Sequence, residues 1–127
     1  MLTDYDQTRY ARQTLIHGWG DEGQRKLKEA TVVVVGAGGL GSPMSIYLAV
    51  AGVGHIVICD ADKVELSNLN RQILHSDARI GHDKADSAAQ TLRELNPAIT
   101  ITSHRQRIDS SNIARIAGKP AIIVDCL

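Results

Sequence analysis

Thr31-Val-Val-Val-Val-Gly-Ala-Gly-Gly-Leu-Gly41 (TVVVVGAGGLG) is the stretch on which the fold turns. Its first half is a continuous β-branched run, which suits a strand buried on both faces, as in a parallel sheet. Its second half fits G-x-G-x-x-G and opens onto Leu40 to Ala51, whose small and apolar residues suit a helix packed on that sheet, ended by Gly52 and Gly54. The strand on one side and the helix on the other lift the glycine motif above chance. Gly36 allows a tight turn, Gly38 with its neighbour Gly39 lets a phosphate approach the backbone, and Gly41 lets the helix pack on the strand. Unpaired N–H groups at the helix start then face the anion. A glycine turn without a ligand is the plainer alternative.

Outward from this stretch, the pattern alternates. Helices are expected at Tyr5 to His17 and Asp21 to Ala30, punctuated by Gly18 and Gly20. His55 to Asp60 (HIVICD) reads as a second strand, and Ala61 to Asn70 as polar and irregular. Asp83 to Leu95 reads as a helix stopped by Asn96-Pro97, and Ile99 to His104 as a third strand. Asp109 to Ala117 is expected to be helical, and Ala121 to Cys126 (AIIVDC) a fourth strand. The expected class is α/β, a Rossmann-like doubly wound, mostly parallel sheet. Residues 1–30 form an N-terminal helical segment in this reading, and 31–127 a nucleotide-binding half-domain. An apolar strand in the last six residues leaves an unpaired edge, so the expectation is a chain truncated after its fourth strand, prone to self-association through that edge or the N-terminal helices.

At 127 residues and 13.7 kDa, with 43% hydrophobic and 22% charged residues, the chain has the composition of one folded domain. Fourteen Lys and Arg balance fourteen Asp and Glu, so no long-range field recruits nucleic acid or an anionic membrane. No stretch approaches the roughly 20 apolar residues of a membrane span. The start, MLTDYDQTRY, is too polar for a signal peptide, and a cytoplasmic location is expected. Cys59 and Cys126 form no Cys-x-x-Cys pair and no metal spacing with nearby histidines, and are expected to be buried, reduced thiols.

Asp60 ends the second strand about 20 residues beyond the glycine loop, where a carboxylate can accept hydrogen bonds from both ribose hydroxyls. With the loop, it indicates an adenine nucleotide. Asp62 is either a solvated turn aspartate or a second contact. Ser67-Asn68-Leu69-Asn70-Arg71-Gln72 then supplies polar side chains and a fixed cation that a dinucleotide dehydrogenase does not need there. Arg71 can grip a phosphate through paired N–H donors, and Lys84, at the start of the next helix, adds a point charge. Concentrated positive charge is what nucleotidyl transfer requires, because charge builds up on the leaving pyrophosphate. Arg9 and Arg12, three apart on the first expected helix, share a face that solvation alone would explain.

RYARQ (Arg9 to Gln13), GAGGLG, AGVG (Ala51 to Gly54), ICDADKVELSNLNRQ (Ile58 to Gln72), Lys84, LNP (Leu95 to Pro97) and VDC (Val124 to Cys126) together resemble the ThiF/MoeB/HesA family, bacterial relatives of ubiquitin-activating enzymes. SNLNRQ is the most specific of these. The resemblance implies ATP and Mg²⁺ as cofactors and adenylation of the C-terminal Gly-Gly carboxylate of a ubiquitin-fold sulfur carrier of the ThiS or MoaD type, for thiamin or molybdopterin synthesis. It makes Gly36, Gly38, Gly39 and Gly41 the phosphate cradle and Asp60 the ribose ligand. Asn68, Arg71 and Lys84 become triphosphate contacts, and Arg12 an arginine supplied across a homodimer to the partner's ATP. The family pattern continues past the last strand as Asp-Cys-Thr-Asp-Asn, whose second aspartate helps hold Mg²⁺. This chain ends at Asp125-Cys126-Leu127, so that ligand is absent, Asp125 matches the pattern's first aspartate, and adenylation is expected to be impaired in this short chain, with residual ATP binding at best. No metal ligand is therefore assigned, and neither a Cys-x-x-Cys zinc site nor a catalytic-cysteine loop is present in the sequence. Two other readings stay open: a non-catalytic nucleotide-binding or dimerisation module, and a fragment of an NAD-dependent enzyme.

Overall fold

The computed structural model describes residues 1–120 and 122–127. Three helices lead in: α1 (Asp4–Arg9), α2 (Ala11–Thr14) and α3 (Gly20–Glu29). There follow β1 (Thr31–Val35), α4 (Gly41–Ala51), β2 (His55–Cys59), α5 (Lys84–Leu95), β3 (Thr100–His104), α6 (Ile113–Ala117) and β4 (Ile122–Asp125). The strands form one all-parallel sheet in the order β3-β2-β1-β4. Register is continuous across it: Val34 pairs with Ile58 on one side and Val124 on the other. The architecture is the expected α/β one.

The valine run explains why β1 lies at the centre. Val32 and Val34 join Ile56 and Ile58 against Ala49 of α4 and Ala88, Ala89 and Leu92 of α5. Val33 and Val35 join Val57 and Cys59 on the opposite face, against Ile116 and Ala117 of α6. All four valines are buried, and each such side chain contributes roughly 1.5–3 kcal/mol relative to exposure. The chain steps from β1 outward to β3, then returns to the other side of β1 for β4. That reversal at the carboxyl end of β1 is where open α/β sheets bind ligands.

Most element ends shift by a residue from the sequence reading, and some segments differ by more. The first expected helix breaks at Tyr10, which is buried and whose hydroxyl accepts a hydrogen bond from Asn96 Nδ2 at 2.8 Å. Arg9 and Arg12 therefore lie on separate helices. The guanidinium of Arg9 donates to the Leu95 carbonyl at 2.5 Å and to the Tyr5 hydroxyl at 3.0 Å. Asp109 to Asn112 is a turn rather than helix: the Asp109 N–H donates to Asn112 Oδ1, and Asp109 Oδ1 accepts from Ser111 N–H, bonds that compete with helical ones. Leu66–Asn68 and Asp77–Arg79 form short 3-10 turns within the segment before α5. β4 comprises Ile122–Asp125; Ala121 lies outside the described residues.

Candidate nucleotide site

The glycine loop folds tightly at both ends. Gly36 has φ +106°, a conformation that side chains disfavour, and a Cβ there would lie 2.6 Å from the Cys126 carbonyl oxygen. A Cβ on Gly41 would sit 1.8 Å from the Gly36 carbonyl oxygen, so the start of α4 reaches the end of β1 only without a side chain. Gly38 and Gly39 are different. Their φ angles are not positive, and added Cβ atoms would meet Gln72 at 3.4 Å and Arg71 at 3.6 Å, ordinary contact distances. The protein's own packing does not demand glycine there. What it keeps is open backbone at the cleft that both residues line.

That backbone is unsatisfied. Gly36 N–H donates to the Cys59 carbonyl and Ala37 N–H to Asp60 Oδ2, both at 2.8 Å. The N–H groups of Gly38, Gly39 and Leu40 have no acceptor among the described residues. Three free donors at the N-terminus of the 11-residue helix α4 form an anion cradle.

A cleft of about 540 Å³ brings together Gly36, Gly38, Gly39, Asp60, Asp62, Arg71 and Lys84, with Cys126 and Leu127 on its wall. Asp60 already works within the protein: Oδ2 takes the Ala37 N–H, and Oδ1 takes the Asp62 N–H at 2.8 Å. Each oxygen keeps a second lone pair for a ribose hydroxyl. Asp62 contributes its carbonyl to the Lys84 N–H at 2.9 Å, which ties the strand-end turn to α5.

The cations complete the cleft. Lys84 is only 7% exposed, yet its ammonium pairs with no carboxylate among the described residues. Arg71, exposed beside Gly39, donates to the Ser67 carbonyl at 3.2 Å and Asn70 Oδ1 at 3.0 Å, and likewise lacks an ion pair. Around Lys84, Asp83 pairs with Lys63 and Arg105 at 3.4 Å, and Asp86 with Arg105 at 2.5 Å and Ser103 at 2.8 Å. Such exposed pairs contribute little energy, but here they fix the start of α5 against the end of β3.

Three expected site residues stand apart. Gly41 is buried beneath the loop, as its packing role requires. Asn68 turns inward to its own 3-10 turn, its Oδ1 accepting the Glu65 N–H at 2.9 Å. Arg12 is exposed on α2 and does not line its own chain's cleft. Both thiols are buried and unpaired, and burial pushes Cys59 up to about 11. The sequence reading named Gln72 only as the end of the polar segment, without a role, and missed His75 and Arg79. Gln72 lies under Gly38 with an Oε1 that has no partner among the described residues. His75 meets the Ala37 carbonyl from behind the loop, and Arg79 bonds to Leu74, Ser87 and Thr91 beside it.

Known proteins resemble this chain in sequence and fold. The chain is 49% identical over 124 residues to the adenylyltransferase and sulfurtransferase MOCS3 of Culex quinquefasciatus, a match covering 98% of this chain and 28% of that protein. It is 45% identical over 125 residues to the molybdopterin-synthase adenylyltransferase of Salmonella typhimurium, covering 98% of this chain and 50% of that one. The chain thus spans half or less of these curated relatives. Among solved structures, the E. coli tRNA N6-threonylcarbamoyladenosine dehydratase crystallised with ATP superposes with a TM-score of 0.91 at 27% identity, covering 100% of this chain and 52% of that one. The ThiF family profile matches residues 10–127. With that match lying over the glycine loop, Asp60, Arg71 and Lys84, the chain belongs to the ThiF family.

Proposed function

We propose that this chain is the nucleotide-binding portion of an enzyme that uses ATP to adenylate the C-terminal glycine carboxylate of a ubiquitin-fold sulfur carrier, in molybdopterin or thiamin synthesis. The observation that carries the reading is the pair of cations without carboxylate partners, Arg71 and Lys84, in the same cleft as three free N–H groups. An NAD site needs the glycine loop and Asp60 but not these cations. The two adenylyltransferase relatives support the reaction, and the molybdopterin-synthase relative supports the carrier.

In this reading, Asp60 holds the ribose and the Gly38–Leu40 donors hold phosphate oxygens. The carrier's carboxylate attacks the α-phosphorus, the bond to the pyrophosphate oxygen breaks, and Lys84 and Arg71 hold the charge that leaves. No general base is required, since a carboxylate is ionised above pH about 4. Mg²⁺ would arrive on the phosphates and neutralise part of their charge; an ion so carried needs only one or two protein carboxylates, and Asp62 borders the cleft without being committed to the ribose. Arg12, exposed outside its own cleft, is the residue a second copy would supply.

The test, made on the whole enzyme of which this chain is the nucleotide-binding portion, is carrier-adenylate formation, followed by mass spectrometry of a Gly-Gly-ended ubiquitin-fold carrier together with pyrophosphate release. Lys84→Ala is expected to lower both at least about tenfold, as for loss of one charge-stabilising donor. Equal turnover by Lys84→Ala, or pyrophosphate release that ignores the carrier, would overturn the proposal.

A further inference from the structure

The side chain that braces the glycine loop lies outside every motif. His75 sits in the segment between β2 and α5 and is 7% exposed. Its Nε2 lies 2.7 Å from the Ala37 carbonyl oxygen and its Nδ1 lies 2.8 Å from Ser87 Oγ. A carbonyl can only accept, so Nε2 carries the proton and Nδ1 accepts from the Ser87 hydroxyl. Arg79 braces the same corner, donating from one nitrogen to the Ser87 carbonyl at 2.8 Å, Thr91 Oγ1 at 2.5 Å and the Leu74 carbonyl at 3.2 Å.

Two geometric consequences follow. Ala37 is gripped at both ends, its N–H by Asp60 and its C=O by His75. No peptide bond among the described residues is cis, so within the Ala37–Gly38 peptide the C=O and N–H point in opposite directions. Drawing the carbonyl toward His75 therefore turns the Gly38 N–H away from it, and that N–H is one of the three free donors. In addition, Ser87 stands three residues after Lys84 on α5, on the same side of that helix. The Ala37–His75–Ser87 chain thus links the loop that offers N–H groups to the helix that offers the ammonium.

We propose that His75 is a positioning residue for the nucleotide's phosphates: as the neutral Nε2–H tautomer, it orients the Ala37–Gly38 peptide and holds the glycine loop in register with Lys84. The inference rests on the proposed function in taking a phosphate chain as the ligand. Burial and the nearby Lys84 and Arg79 cations oppose protonation of the ring, while the Ala37 carbonyl and Asp60 favour it, and the balance lies below the ordinary histidine range. The neutral tautomer is the form that this geometry uses.

The variants His75→Phe, His75→Gln and Ser87→Ala separate bracing from mere packing. Phenylalanine fills the space without a donor, whereas the glutamine amide nitrogen can replace Nε2–H. ATP affinity, by calorimetry, is expected to fall about tenfold in His75→Phe and to return to within about threefold of wild type in His75→Gln, the scale of one buried hydrogen bond. In the nucleotide-free protein, amide exchange at Ala37 is expected to speed up in His75→Phe and not in His75→Gln, and nitrogen NMR of the wild-type ring should show the Nε2–H tautomer. Undiminished ATP binding in His75→Phe, no rescue by His75→Gln, or an Nδ1–H ring would overturn the inference. If His75→Phe does not fold, Ser87→Ala takes its place. It frees the ring and should weaken ATP about threefold; no change would overturn the inference. Wild-type protein that fails to bind ATP would sink the proposed function, while Ala37 exchange would still decide whether His75 braces the loop.

Discussion

Glycines 36 and 38 belong to one motif but answer to different demands, and substitution should separate them. Gly36→Ala meets both a left-handed backbone and a carbonyl 2.6 Å from the new Cβ, so it should destabilise the fold by about 2 kcal/mol or more in urea melts. Gly38→Ala meets only ordinary contacts, so stability should stay within about 0.5 kcal/mol while ATP affinity falls. Equal effects of the two on stability would refute the division. His75 adds a pH dependence. Its folded-state pKa is lowered from 6.5 by burial, so below about pH 6.5 the unfolded chain takes up a proton that the folded chain refuses. Stability then declines as pH falls through that range toward the folded value, and chemical melts of His75→Gln should show a shallower decline. Asp6, lowered by its ion pair with Lys28, works in a separate window, losing its contribution only below its ordinary 3.8. At this scale the gathering of Gly36, Gly38, Gly39, Asp60, Arg71 and Lys84 around one cleft was legible, because each carries its chemistry in its type and spacing. His75 was not, because a lone histidine after Ile73-Leu74 has no pattern; its partners, Ala37 and Ser87, are 38 and 12 residues away.

The elements were legible where local pattern and tertiary packing agree. Five consecutive β-branched residues form the central strand, and Gly52, at φ +95°, caps α4 as its glycine suggested. They were illegible where a distant contact overrides local periodicity, as at Tyr10, whose hydroxyl is bound by Asn96 across 86 residues. That contact belongs to a polar joint between the leading helices and the last carbonyls of α4. Asn96 Nδ2 also donates to the Ala49 carbonyl at 2.8 Å, and Gln13 and Gln24 both donate to the Ala51 carbonyl, at 2.6 and 2.9 Å. Asn96 is fully buried, so Asn96→Ala removes the partner of the Tyr10 hydroxyl and of the Ala98 N–H, leaves the Ala49 carbonyl only its bond from Gly52 N–H, and should cost about 2–3 kcal/mol in denaturant melts. Tyr10→Phe leaves Asn96 its bond to Ala49 and should cost about 1 kcal/mol. If Tyr10→Phe proved the costlier change, the joint would be held by ring packing rather than by these hydrogen bonds.

For the whole molecule, the cleft lies where the strand order reverses and draws on β1, the turn after β2, the Arg71 segment and the N-termini of α4 and α5. A ligand that engages all of these binds only the folded chain, so its affinity adds to global stability. At a concentration of 100 Kd, ATP should stabilise the chain by about 2.7 kcal/mol, which for a domain of this size raises Tm by roughly 10 °C. NAD carries a ribose that Asp60 can bind and two phosphates for the loop, but it has no γ-phosphate to meet the remaining cationic charge. At the same concentration, it should shift Tm by much less. The charge argument also sets the salt response: Lys84 is mostly buried and Arg71 is exposed, so the Arg71 share of the ATP shift should weaken as ionic strength rises while the Lys84 share persists. Thermal scans of wild type, Arg71→Ala and Lys84→Ala at low and high salt resolve the two shares. An NAD shift equal to that of ATP, or an ATP shift indifferent to both substitutions, would mean that the cations serve the surface and not the phosphates.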